Sequence, residues 1–537
     1  MNWRTSVSAW RGRAAACALL PLLAATGALA AERPDITVAV NQLPRSLDPG
    51  TETGNVDVRV YYNIFDTLIR RDFAHPDADG GARLVPGLAV SWKRLSPETL
   101  ELDLRQGVTC HDGNPFDADD VMATFAPERL WGDDPFYPKG REYFAHLKSV
   151  EKVDADTVRF TTNGPDVSLE LLLAGYTAFI VCDEALTAYK KDGADYKVWM
   201  DEAANAMKWN PVGTGPYKVE SYQNDDHVKL AGFDGYWEGA PAAASITFRE
   251  VPEPAARISG IVSGEFDIAV EMTPDQWDVL DRYSDIAAKS VVLENTHVLV
   301  FNENDPVLGD KKLRHALSLA IDRKALIDAL WRGKTFTPNG HQMPSFGPMY
   351  DKNRAGYAYD LEKAKQLLAE SSYDGQTISY RLIPNYYIYN VEAAQIIQEM
   401  WRELGVKVEI EFVESFKAVR AAGKQIYAWS NTYRIPDPSG ALLPLWGPES
   451  GSQTDHEIFT APAEFNELGA ELLKTADMAE RKKIFQRMLD VFEDEMVMTM
   501  LYNPLTTYAV RKNLEWEPYP LYYMDFRPSN FSIKSGT

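Results

Sequence analysis

Residues 86–125 read PGLAVSWKRLSPETLELDLRQGVTCHDGNPFDADDVMATF. Leu100, Leu102 and Leu104 alternate with polar residues, a period of two that predicts a strand with one buried face. Gly107-Val108 follows, and His111-Asp112-Gly113 reads as a turn. Asp117 and Asp119 then predict a helix start, because a carboxylate there accepts the unpaired N–H groups of a first turn.

The same alternation continues in both directions. Upstream, 36–40 reads as a strand, Leu47-Asp48-Pro49-Gly50 as a turn and 57–68 as a helix. Downstream, 157–161 is a period-two strand, and the glycines and prolines of 211–217 make a tight turn before a strand at 217–220. Helical patterns cover 254–263, 312–331, 361–370, 391–404 and 479–495, with strands at 406–412 and 498–502. Strands and helices mixed throughout predict an α/β architecture. No short repeat or low-complexity linker interrupts it.

The chain has 537 residues, 45% hydrophobic and 25% charged, the proportions of a globular protein of several domains. Its net charge of -23 repels phosphate backbones, so no nucleic acid is expected as a partner. Residues 1–30 carry Arg4, Arg11 and Arg13, then an apolar run from Ala14, then Ala28-Leu29-Ala30, the three parts of a secretory signal peptide. Pro21, Thr26 and Gly27 make that run too broken for a spanning helix, and Cys17 lacks the leucine of a lipid-attachment motif. The export signal places the protein in the periplasm. Cys110 and Cys182 are the cysteines beyond it, and a disulfide and two buried thiols both fit an oxidising compartment.

Catalytic motifs are missing. The chain has no Gly-x-Ser-x-Gly elbow and no phosphate-binding Gly-rich loop ending in Gly-Lys-Ser/Thr. His456-Glu457 begins like a zinc-protease helix, but Thr460 stands where the second histidine belongs. Asp119-Asp120 and Asp225-Asp226 read as capping or solvated groups. These readings predict no enzyme, no cofactor and no metal site.

Six segments in order resemble family 5 of the bacterial extracellular solute-binding proteins, the ligand-capturing components of peptide- and nickel-type ABC importers. They are Ser46-Leu47-Asp48-Pro49, residues 86–125, NPVGTGPYKV (210–219) with Gly235-Tyr236-Trp237, ISGIVSGEFDIA (258–269), RHALSLAIDRKAL (314–326) and DLEKAKQLL (360–368). The resemblance implies a two-lobed periplasmic binding protein fold of type II, enlarged by an extra subdomain and hinged between lobes. On that template lobe I takes 31–66, 184–294 and 506–537, the extra subdomain 67–183 and lobe II 295–505. It also implies a monomer that closes over a small-molecule ligand and delivers it to a permease in the inner membrane. A secreted hydrolase of peptides or glycosides, and a ligand sensor for a chemoreceptor, are the alternatives.

The resemblance also implies where ligand binds. Thr53, Gly54 and Asn55 match a loop that pairs with bound peptide in relatives. Thr296 and His297 open the crossing strand 295–301, and Tyr137 and Arg141 match a subdomain segment that reaches the cleft. The stretch WSNTYRIPDP (429–438) supplies Trp429, Asn431, Thr432, Tyr433, Arg434 and Asp437. Peptide-binding relatives carry an aspartate three residues after the tryptophan, paired with the peptide's α-ammonium; here that position is Thr432. A buried ammonium left without an anion costs several kcal/mol, roughly. Asp437 is the substitute anion if the loop turns differently, and Pro436-Asp437-Pro438 as a rigid turn is the other reading. Arg434 favours an anionic group. The expected cargo is therefore a peptide, or a peptide-like anionic metabolite such as an opine.

Overall fold

The computed structural model describes residues 33–51, 54–384, 386–454 and 458–534. The signal-like segment 1–30, Thr53 and His456-Glu457 lie outside them.

Two large sheets organise the chain. The first has seven strands in the order Ile286–Val292, Leu505–Arg511, Ile268–Ala269, Asp35–Val40, Ser245–Glu250, His227–Gly232 and Tyr217–Gln223. Asp35–Val40 runs parallel to both its neighbours and is covered on both faces, which is why Val38, Ala39 and Val40 read as a continuous apolar run. The second sheet has five strands: Lys407–Phe412, Thr377–Leu382, Ile426–Thr432, Asn295–Phe301 and Met498–Tyr502. All seven residues of Asn295–Phe301 are buried.

The chain passes between these sheets where Ile286–Val292 gives way to Asn295–Phe301, and back where Met498–Tyr502 gives way to Leu505–Arg511. The crossings touch: the Leu293 N–H donates to the Pro504 carbonyl at 3.0 Å. Two lobes joined by short adjacent crossings make the two-lobed binding-protein fold.

A third, antiparallel sheet joins Ala89–Ser96, Thr99–Leu104, Thr157–Thr162 and Leu147–Asp154. Leu100, Leu102 and Leu104 point inward as their spacing predicts, into the same core as the seven-stranded sheet. The helix that follows is Ala118–Thr124, and its cap is Asp117. Asp119 does not cap it; Asp120 completes a capping box, accepting from the Asp117 N–H at 2.8 Å, while Asp119 pairs with Lys152 on the surface. Cys110 and Cys182 form a disulfide that closes 72 residues of sequence, worth about 4 kcal/mol on chain-entropy grounds.

Two helices are shorter than their patterns. The 57–68 pattern forms a helix only over Val58–Ile64, because Phe65 turns extended and carries Asp66 into a buried contact with Arg527 at 2.9 Å. The 312–331 pattern splits into Lys311–Leu319 and Arg323–Trp331, with Asp322 capping the second. Pro254–Ser263 and Met498–Tyr502 match the periodicity at both ends.

Candidate ligand-binding site

Strand Ile426–Thr432 is central in the second sheet, but its pairing with Thr377–Leu382 ends at Tyr427. From Ala428 to Thr432 it is paired only with Asn295–Phe301, and that end borders a cavity of about 440 Å³. Gly54 and Asn55 line the cavity from the first lobe and Lys139 and Glu142 from the subdomain segment. Trp429, Asn431, Thr432, Arg434 and the aromatic side chains Tyr386, Tyr387, Phe416 and Tyr427 line the rest with Arg420.

Gly54 and Asn55 are held in place by Asp57, which accepts the Gly54 N–H at 2.7 Å just before the helix Val58–Ile64. A β-carbon at Gly54 would approach that carboxylate to 2.7 Å, so the bare backbone is what this turn accommodates. Asn55 Oδ1 accepts from the Thr432 hydroxyl at 3.1 Å, and Thr432 in turn accepts from Asn295 Nδ2 at 2.8 Å. This neutral relay joins the Gly54–Asn55 turn to the strands Ile426–Thr432 and Asn295–Phe301 across the cleft.

Arg434 also spans the cleft. It donates to the Tyr143 hydroxyl at 2.8 Å and lies against the Tyr143 and Tyr176 rings, 5.7 and 5.2 Å from their centroids. Burial lowers its pKa, but Tyr143, Tyr176 and Glu142 outweigh that and raise it above the usual guanidinium value. Arg420 lies over the Trp429 indole, its guanidinium carbon 3.9 Å from the ring centroid. Burial lowers its pKa despite Tyr427, Tyr387 and Glu142.

Several residues read from sequence as cleft groups are placed elsewhere, each for a local reason. Tyr137 is buried and donates to Asp48, whose carboxylate also accepts the Gly50 N–H at 2.9 Å; it braces the turn beneath the cleft. Arg141 donates to the Gly132 carbonyl at 2.5 Å and faces Glu449 at 3.6 Å, outside the cavity lining. Thr296 and Tyr433 are fully buried and bond to each other at 3.1 Å. Asn431, by contrast, does border the cavity, and its side-chain amide donates to Met498 Sδ at 3.2 Å. Asp437 is no substitute anion, because Arg481 grips both its oxygens and Oδ1 accepts the Ser439 N–H at 2.9 Å.

His297 lines an adjoining pocket of about 30 Å³ beside the crossings, with Arg59, Glu271, Leu293 and Pro504; this pocket shares Asn55, Tyr386 and Tyr387 with the larger cavity. Burial pushes its pKa down to about 3, so it stands neutral there.

Sequence reasoning missed Lys139, Glu142, Tyr386, Tyr387, Phe416 and Arg420. One signal was present: Phe416 and Arg420 are four apart, the spacing of one helical face. The carboxylates that gather elsewhere among the described residues, Asp120, Asp183 and Glu184, lie beside the disulfide and outside the cavity lining. Burial raises Asp120 to about 6, and it already accepts the Asp117 and Asp183 N–H groups.

A two-lobed fold with a polar and aromatic cavity between its lobes is the architecture of a protein that encloses a small ligand. The profile of bacterial extracellular solute-binding proteins, family 5 (middle), matches residues 83–453. The chain belongs to that family. As a family 5 solute-binding protein it is a non-enzymatic carrier of a small-molecule ligand for ABC import. It is 26% identical over 459 residues to the dipeptide-binding protein of Escherichia coli (strain K12), covering 81% of this chain and 84% of that one. The fold matches the dipeptide-binding protein from Pseudoalteromonas sp. SM9913 in complex with Met-Leu, at TM-score 0.82 and 22% identity, over 93% of this chain and 100% of that one. It matches AgaA from A. tumefaciens R10 in complex with agropinic acid at TM-score 0.79 and 21% identity, over 94% and 99%. Among the described residues no helix is long and apolar enough to cross a membrane.

Proposed function

We propose that this family 5 protein captures a small anionic solute without a free ammonium group in the 440 Å³ cavity and hands it to an inner-membrane permease. The observation that carries the reading is the neutral Asn55–Thr432–Asn295 relay across the cleft. An α-ammonium placed at Thr432 meets a hydroxyl and two carboxamides, with no carboxylate in that relay to offset its lost hydration.

In this reading the lobes are 31–66, 184–294 and 506–537 for lobe I, 67–183 for its extra subdomain and 295–505 for lobe II. The protein works as a monomer, exported by the segment 1–30. Closure follows from the ligand's preference for the closed form, in which both lobes touch it.

An ordinary peptide is the second reading, favoured by the strand end 428–432, whose outer side lacks a neighbouring strand and offers backbone groups to an extended chain. Thermal-shift measurements with free-amine dipeptides and with anionic metabolites lacking an amine separate the two. Stabilisation by the second set supports the proposal. Stabilisation by simple dipeptides at low concentration, with none from the second set, overturns it.

A further inference from the structure

The strands Tyr217–Gln223 and His227–Gly232 form a hairpin at one edge of the seven-stranded sheet. Ser221 is paired with Lys229, so His227, two residues away on the partner strand, is its diagonal neighbour on the same face. The Ser221 hydroxyl lies 3.0 Å from His227 Nε2, and His227 Nδ1 lies 2.8 Å from Asp226 Oδ2. A carboxylate only accepts, so in the neutral imidazole Nδ1 carries the proton and Nε2 turns its lone pair to the serine. Nucleophile, base and orienting carboxylate therefore stand in that order.

The backbone holds the carboxylate where it is. The Asp226 carbonyl accepts the Glu250 N–H at 2.9 Å, and the Asp226 N–H donates to the Gln223 carbonyl at 3.2 Å. Other charged groups on the flanking strands are committed elsewhere. Lys229 donates to Glu220 at 2.9 Å, Arg249, which is opposite His227 in the register, donates to Glu265 at 3.0 Å, and the Glu250 carboxylate accepts the Leu43 N–H at 2.9 Å. Asp225 stands in the turn itself. Ser221 is exposed, so a reagent reaches its hydroxyl without any movement of the lobes. Ser221, Asp226 and His227 border neither the cavity nor the pocket described above.

We infer that Ser221 is a nucleophilic modification site, activated by His227 with Asp226 as the positioning residue, and that it takes acyl groups from activated esters and thioesters. Ser221 Oγ forms a bond to the acyl carbon while the bond from that carbon to the leaving alkoxide or thiolate breaks. The hydroxyl proton passes to His227 Nε2 and from there to the leaving group or to solvent. The product is one acylated serine per chain, whatever the cleft carries.

Treatment of the full mature protein with p-nitrophenyl acetate tests this, with acetylated residues located and timed by peptide mass spectrometry. Ser259 is the internal reference: it is also exposed, but its hydroxyl donates to the Ala255 carbonyl at 2.9 Å. Ser221 should be acetylated at least about tenfold faster than Ser259. His227→Gln should bring Ser221 down to the Ser259 rate. Asp226→Asn should slow it several-fold, roughly, and Asp226→Glu should recover part of that loss. The wild-type rate should rise as pH passes through the imidazole range, about 6–7, and His227→Gln should lose that inflection. All three substitutions lie on the hairpin surface, so an unchanged melting temperature separates lost activation from lost structure. A Ser221 that reacts no faster than Ser259, or that keeps its rate and its inflection in His227→Gln, overturns the inference.

Discussion

At the scale of single residues, the proposal makes Thr432 the residue that decides what kind of terminus the cleft accepts. Its hydroxyl donates to Asn55 and accepts from Asn295, both of them neutral. Thr432→Asp introduces an anion that Asn295 Nδ2 is already placed to meet. Titration calorimetry with a dipeptide such as Ala-Phe should show at least a roughly tenfold gain over wild type, and no gain would remove Thr432 from the site. The variant should also unfold at lower temperature in the absence of peptide, since a nearly buried carboxylate without a cation costs a few kcal/mol, roughly. Asp437 gives the contrasting lesson. It lies five residues further on and is equally acidic to the eye, yet the geometry commits it to Arg481. A carboxylate in a binding segment is available to ligand only if no buried arginine has claimed it.

At the scale of elements, the segment after Thr432 matters more than its length suggests. Tyr433 enters the core of the second lobe and Ile435 that of the first, so alternate residues anchor to opposite sides. Gly440 makes room for this, since a β-carbon there would fall within 2.0 Å of Ile435 side-chain atoms. Truncating a buried isoleucine costs on the order of 2–5 kcal/mol when the cavity cannot collapse. Here part of that cost is relieved by separating the lobes. Ile435→Ala should therefore raise the radius of gyration of the ligand-free protein in small-angle scattering, besides lowering its melting temperature. A melting-temperature drop with an unchanged scattering curve would show that the segment serves stability alone.

At the scale of the whole molecule, three buried histidines set the response to acid. Burial holds His297 and His341 at about 3 and His111 at about 4. Each is neutral in the folded chain and takes a proton in the unfolded chain near pH 6.5, so the unfolded state binds more protons between those values. Stability contributed by the neutral imidazoles is present above pH 6.5 and is lost progressively as pH falls toward 3. Asp66 acts in the same direction. Burial alone raises its carboxyl, but Arg527, Arg70 and the Trp237 N–H more than offset that and hold it below the ordinary value. Its contribution is present above the unfolded carboxyl range and is lost as pH falls through the lowered folded value. Asp120, which burial raises to about 6, opposes this between pH 6 and pH 4, since its folded form binds the proton first. Denaturant titrations from pH 7 to pH 4 should still show unfolding free energy falling, because three histidines act against it. His341→Gln should flatten that slope, and a slope unchanged in the variant would remove His341 from the account.

The architecture was legible because its signals are local. A period of two places Leu100, Leu102 and Leu104 on one face whatever the rest of the chain does, and a proline-led, glycine-ended run such as Pro254–Ser263 carries its own start and stop. Of the residues named from sequence, Gly54, Asn55, Trp429, Asn431, Thr432 and Arg434 border one cavity. What sequence could not decide was direction and partnership. Thr296 and His297 are neighbours on one strand, yet one turns into a packed hydroxyl pair and the other toward the crossings. Whether Arg420 meets Trp429, whether Asp437 meets Arg481 and whether Cys110 meets Cys182 each depend on segments brought together across many residues of chain. Patterning reports which face of an element seeks the core; only the packed lobes determine which polar groups have been claimed there and which are left for a ligand.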